Sequence, residues 1–228
     1  LLPRYSGLDA SVAPSAWLAT MLNMKSGMGQ TFLMFLIPFF AVLGYADGYF
    51  QEAKSGAIVP NITRMGKQNY FLSKTVVTAV SAFGIVFFTL LFNQLLAAIA
   101  FPWKGVEPLA TGTVYEASIA DDLRGLVFPR LYMNAPVLYN LVIMFMAGVW
   151  GAVTALLAYA ISLYFRKNLI TVLGSVTLLN AVVSLGLSVV SARAVLLLPS
   201  TYLFADPYMN RSVWGFVGGV AVCLCAAV

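Results

Sequence analysis

Reactive side chains are few in this chain, and their spacing rules out most chemistry. There is no histidine in the 228 residues, so neither a histidine-activated nucleophile nor a histidine metal site can be built. Cys223 and Cys225 sit two apart in the apolar run "CLC"; on a helix they point to different sides and suit neither a shared metal nor a disulfide. Asp47 in "GYADG" borders an apolar run. Hydrolysis by paired carboxylates needs a second acid to share the proton, and no other aspartate falls within an apolar run, so Asp47 reads as a helix-end acid at a membrane surface. Gly66-Lys67 is followed by Gln68, and Asn61 stands where a phosphate loop requires glycine; the pattern G-x-x-x-x-G-K-[ST] is not met. The expectation is no catalytic residue, no metal and no cofactor bound by this chain. If nucleotide hydrolysis drives it, another polypeptide carries ATP and Mg.

The composition explains why so little reactive chemistry is present. Hydrophobic residues make up 61% and charged residues 9%, against about 25% charged in a soluble domain, and mean hydropathy is +0.90. Too little polar surface remains to cover a globule in water, so lipid must solvate much of it. The net charge of +5 then reflects basic ends facing an anionic leaflet rather than nucleic acid.

Any functional side chain must therefore be positioned by membrane helices, each needing about 20 apolar residues. Five stretches are predicted spans: 31–50, with Pro38 as a kink, 75–101, 137–165, 169–192, and 213–228, which stops short. The expected fold is an all-α, polytopic transmembrane bundle forming a single permease-like domain, with six helices in the intact chain. Segments 1–30, 102–136 and 193–212 are expected as interfacial or exposed outer loops, the second with a short helix near Ile119–Gly125. Basic residues concentrate in two short loops, Lys54, Arg64, Lys67 and Lys74 in 51–74 and Arg166 with Lys167 in "FRKN", which places those loops in the cytoplasm by the positive-inside rule. The location expected is the plasma membrane, crossed several times.

No charged side chain lies well inside a predicted span, so the titratable groups that mark ion-driven transport are missing. The polar residues available there are Asn93, Gln94, Asn140, Thr154, Asn180 and Ser184. Each either makes an interhelical hydrogen bond or lines a substrate path. Small residues recur at helix-packing spacing, Ala147, Gly151 and Ala155 beside Gly148 and Ala152, and Gly215 with Gly219; the expectation is close packing within one subunit.

The loop "QEAKSGAIVPNITRMGKQNYFLSK", residues 51–74, is compact, basic and punctuated by glycine and proline. The preceding helix should end near Lys54, a short helix should run from about Pro60 to Met65, and Gly66 should break it before the amphipathic "KQNYFLSK". Arg64 and Lys67 beside apolar Ile58, Val59, Ile62 and Met65 suit docking on a protein or lying on lipid.

This loop resembles the ABC-2 family of ABC-transporter permeases. There the second span runs into an acidic residue, an "SG" turn, an arginine and then "Y-x-x-x-K" opening the third span; here these are Glu52, Ser55-Gly56, Arg64, and Tyr70 with Lys74. Tyr70 falls one residue early, and "MGK" replaces the usual residues after the arginine. The resemblance implies that Glu52, Ser55, Gly56, Ile58, Ile62, Arg64, Met65, Lys67, Tyr70 and Lys74 form a coupling element seated on a separate cytoplasmic ATPase. It further implies a second permease copy or a related permease, and outward movement of substrate, with an amphipathic or lipidic cargo suited to these spans. The alternative is a non-transporting membrane anchor or sensor whose loop docks a soluble partner.

Overall fold

The structure, a computed structural model, describes residues 15–17, 36–43, 52, 55–103, 126–165, 169–190, 198–203 and 212–227. Among these residues there is no strand. A helical stretch over 36–43 is followed by α1 (Ile58–Met65), α2 (Lys67–Ala100), α3 (Pro129–Asn134), α4 (Pro136–Phe165), α5 (Leu169–Val190), a 3-10 turn over Pro199–Leu203, and α6 (Val213–Ala227).

Helix α2 begins eight residues before the predicted span at Thr75, because nothing between Lys67 and Thr75 breaks a helix. Its hydroxyls stay inside the helix: Thr75, Thr78 and Thr89 donate to the carbonyls of Phe71, Lys74 and Ile85 at 2.9, 2.8 and 2.6 Å. A helix thus satisfied can lie in lipid without exposing polar groups. Phe101, extended at φ −122° and ψ 151°, ends it one residue before Pro102, as steric conflict with a following proline requires. Helix α4 opens on Pro136, where the missing N–H costs nothing. Helices Lys67–Ala100 and Pro136–Leu163 are each long and apolar enough to cross a membrane, whereas Val172–Leu187 and Val213–Cys225 are shorter apolar helices.

Helix α4 is the centre of the bundle. Its most apolar window is 61% buried against 22% for α2, and it packs on α2, α3, α5, α6 and the 3-10 turn. The small residues set the approach to α2. A Cβ on Gly148 would lie 2.8 Å from the Phe83 ring, and one on Gly151 would lie 2.7 Å from Val86 Cγ2 and 3.6 Å from Ala41 Cβ. The small face is therefore filled within the chain by α2 and the 36–43 helix. Val42, Ala158, Val172 and Val176 form a second cluster joining that helix, α4 and α5.

Parts of the segments expected outside the helices are buried. Residues 198–203 were expected in an interfacial or exposed loop, yet Leu198, Pro199, Ser200, Thr201, Tyr202 and Leu203 are buried. Tyr202 packs edge-on to Phe216, ring centroids 6.1 Å apart, and its hydroxyl occupies the space a Gly215 Cβ would need, 2.0 Å away. Leu126 and Val127, in the second outer segment, also join the core. Such short pieces bury one or two aromatic or aliphatic side chains with no periodic pattern to announce it. The short helix expected near Ile119–Gly125, like Asp47, Lys54, Arg166 and Lys167, lies outside the described residues.

Candidate functional site

Two glycines shape the 51–74 loop. Gly56 has φ +71° and Gly66 φ +79°, conformations that side chains with a Cβ adopt only under strain. At Gly56 the helix carrying Ser55 stops: Ala57 N–H and Ser55 Oγ both donate to the Glu52 carbonyl, at 3.1 and 3.2 Å. Helix α1 starts at Ile58 rather than at Pro60, and Gly66 alone separates it from α2. Hydrogen bonding continues across the break, Gly66 N–H to Ile62 O at 2.9 Å and Tyr70 N–H to Gly66 O at 3.1 Å. With ψ 149°, Gly66 occupies a region essentially restricted to glycine. Gly66→Ala is expected to cost about 1 kcal/mol and to raise protease sensitivity at α1 before any change in α2, measured by limited proteolysis and SDS-titration unfolding.

Of the four apolar residues expected as docking anchors, Ile58 and Ile62 are half-buried, one helical turn apart. Val59 and Met65 are turned outward, 69% and 51% exposed, beside exposed Arg64 and Lys67. The outward surface is therefore apolar and basic, and smaller than the sequence suggested.

The loop is tied to α2 by a cluster that the sequence named but did not assemble. Tyr70, buried, donates its hydroxyl to Glu52 Oε2 at 2.6 Å, and Lys74 Nζ donates to Glu52 Oε1. The Lys74 ammonium also lies 5.7 Å from the centre of the Tyr70 ring, within cation–π range. Residues 70 and 74 share one face of α2 by the i, i+4 rule, so a single carboxylate grips two consecutive turns. Partial burial pushes the Glu52 carboxyl up, but the hydrogen bonds from Lys74 and Tyr70 and the Lys74 charge outweigh it, leaving the carboxyl below its ordinary 4.5. The cluster is a structural clamp built on an ionised carboxylate. Among the described residues no cluster of His, Cys, Asp or Glu could hold a metal.

The polar residues within the helices divide into two kinds. Gln94 and Asn140 meet: Asn140 Nδ2 donates to Gln94 Oε1 at 2.8 Å and to Trp17 O at 2.9 Å, and Gln94 Nε2 donates to Ala16 O at 3.2 Å. Thr154 turns inward on its own helix, to Gly151 O at 2.9 Å. Asn93 and Asn180 are half-buried on α2 and α5. One donor escaped sequence reading: Trp150 Nε1 is buried with no hydrogen-bond partner among the described residues, one turn before Thr154. A tryptophan inside an apolar run gives no signal of that kind.

Residues 10–212 match the family described as "Protein of unknown function (DUF2705)". The chain belongs to this family. The matched span takes in the clamp, α1 and the amide network, and ends at the residue before α6 is approached. No curated protein and no solved structure gives a significant match.

Proposed function

We propose that this chain is the membrane permease subunit of an ATP-driven exporter of the ABC-2 type, and that α1 is the element through which a separate cytoplasmic ATPase acts. The observation that carries the reading is mechanical. A short helix presents Val59, Arg64 and Met65 outward while Glu52, Tyr70 and Lys74 fix its base to α2. Force applied at α1 is thereby delivered to a helix able to cross the membrane. Apolar contact rimmed by basic side chains suits a protein groove, and the lack of a phosphate-binding loop assigns ATP and Mg to the partner. In this reading the chain crosses the plasma membrane five times, with 51–74 in the cytoplasm. It works with a second permease copy or a related one, and moves an amphipathic or lipidic substrate outward.

The test is copurification. The chain isolated from its own host membranes in mild detergent is expected to bring an ABC ATPase with it. Arg64→Glu, or glycine substitutions through Ile58–Met65, should lower ATPase recovery about tenfold, equivalent to about 1.4 kcal/mol of binding, with the chain's membrane level unchanged. Undiminished recovery together with undiminished transport-coupled ATPase activity in those variants would overturn the reading.

A further inference from the structure

Residues 15–17 lie at the end of the bundle opposite α1. Gln94 follows Tyr70 by 24 residues of α2, about 36 Å at the helical rise, so the amide network and the clamp occupy opposite ends of that helix. Ser15 and Ala16 are buried, at 4% and 0% exposure. Ala16 N–H donates to Pro102 O at 2.9 Å, just past α2, while Gln94 holds Ala16 O and Asn140 holds Trp17 O. Ala16 packs with Ala97 and Phe101. Trp17 stands edge-on to Trp103 with centroids 5.0 Å apart, and Trp103 is exposed, as tryptophans are at a membrane–water boundary.

Simple helix glue would not need this arrangement. A pair of amides can satisfy each other, whereas these also read the backbone carbonyls of a third segment and fix its register between two helices. Gln94 and Asn140 are 7% and 2% exposed, so their bonds part at little cost only where water enters to replace them, which couples their release to opening of that end. We propose that residues 15–17 are a strap that latches the ends of α2 and α4 together, and that release of its bonds to Gln94 and Asn140 opens the bundle at that end. The proposal rests on α2 and α4 crossing the membrane and requires neither an ATPase nor a nucleotide, so its failure is separate from failure of the permease reading.

The test uses the whole chain in lipid nanodiscs, with Cys223→Ser and Cys225→Ser, and a water-soluble maleimide as probe. Ile143→Cys reports the main core one turn from Asn140, where the native side chain is 2% exposed, and Val176→Cys reports the α5 cluster, also 2% exposed. With the strap intact both thiols are protected. Gln94→Leu with Asn140→Leu is expected to speed labelling at position 143 about tenfold and leave position 176 unchanged, the pattern of a local opening. Where the double variant does not accumulate, Gln94→Leu alone, which keeps the Asn140–Trp17 bond, should give about a threefold increase at position 143 only. Unchanged labelling at position 143 would overturn the proposal. Equal acceleration at both positions would also overturn it, showing that the amides hold the entire bundle rather than one end.

Discussion

Gly151→Leu is expected to remove about 3 kcal/mol of stability, the upper end of what overpacking costs. Even the first added carbon would stand 2.7 Å from Val86 Cγ2 and 3.4 Å from Val86 Cβ, with Ala41 behind it at 3.6 Å. Val86 cannot turn away. It is 4% exposed, and a β-branched side chain on a helix has one strongly preferred rotamer. Relief can come only from separating α2 and α4, which would also disturb the Phe83 ring that sits over Gly148. Gly174→Leu and Gly186→Leu on α5 are the controls: nothing lies within 4 Å of an added Cβ at either position, and a leucine there is expected to change stability by less than about 0.5 kcal/mol. SDS-titration unfolding in mixed micelles compares the three. Equal losses at all three sites would mean that the α2–α4 seam is not where the bundle is tightest.

That seam was legible in the sequence because small residues at helical spacing report a backbone-to-backbone approach whatever they face. The run from Ala147 to Ala155 gave both the helix and its packed side, and α4 and α5 start within one residue of their predicted limits. The breaks at Gly56 and Gly66 were legible for a related reason: both adopt positive φ, which few other residues tolerate. What the sequence did not disclose depends on which partner each residue meets. Gln94 and Asn140 are 46 residues apart, and nothing local says that each will find the other rather than a substrate. The burial of Tyr202 required knowing that Gly215 would be beneath its hydroxyl. In α1, the spacing of Ile58 and Ile62 was visible, but that these two would be half-buried while Val59 and Met65 turn outward was not.

The clamp makes a second strong prediction, and its sign with pH follows from Glu52. Lys74→Met is expected to destabilise the chain by about 2 kcal/mol, between the values for exposed and buried pairs, because the side chains of Lys74 and Glu52 are 12% and 25% exposed. The loss comes mainly from leaving a half-hidden carboxylate without its cation. Adding Glu52→Gln to Lys74→Met should return part of that loss, and the double-mutant cycle should show a coupling of about 1–2 kcal/mol. The carboxyl sits below its ordinary 4.5 in the folded chain, so the folded state favours the ionised form. Its contribution is therefore complete above that ordinary value and disappears as pH falls through the lowered folded one. Stability measured between neutral pH and pH 3 should accordingly decline more for the parent than for Glu52→Gln, with the difference arising below 4.5. The same substitutions separate clamp from contact surface. Lys74→Met should free α1 to proteolysis while leaving Val59, Arg64 and Met65 chemically intact, so a partner that still binds but no longer couples would locate transmission in the Glu52–Tyr70–Lys74 cluster. If stability and loop protection stay at the parent's level in both single variants, α1 has no anchor beyond Gly66, and that one flexible residue would have to carry any force into α2.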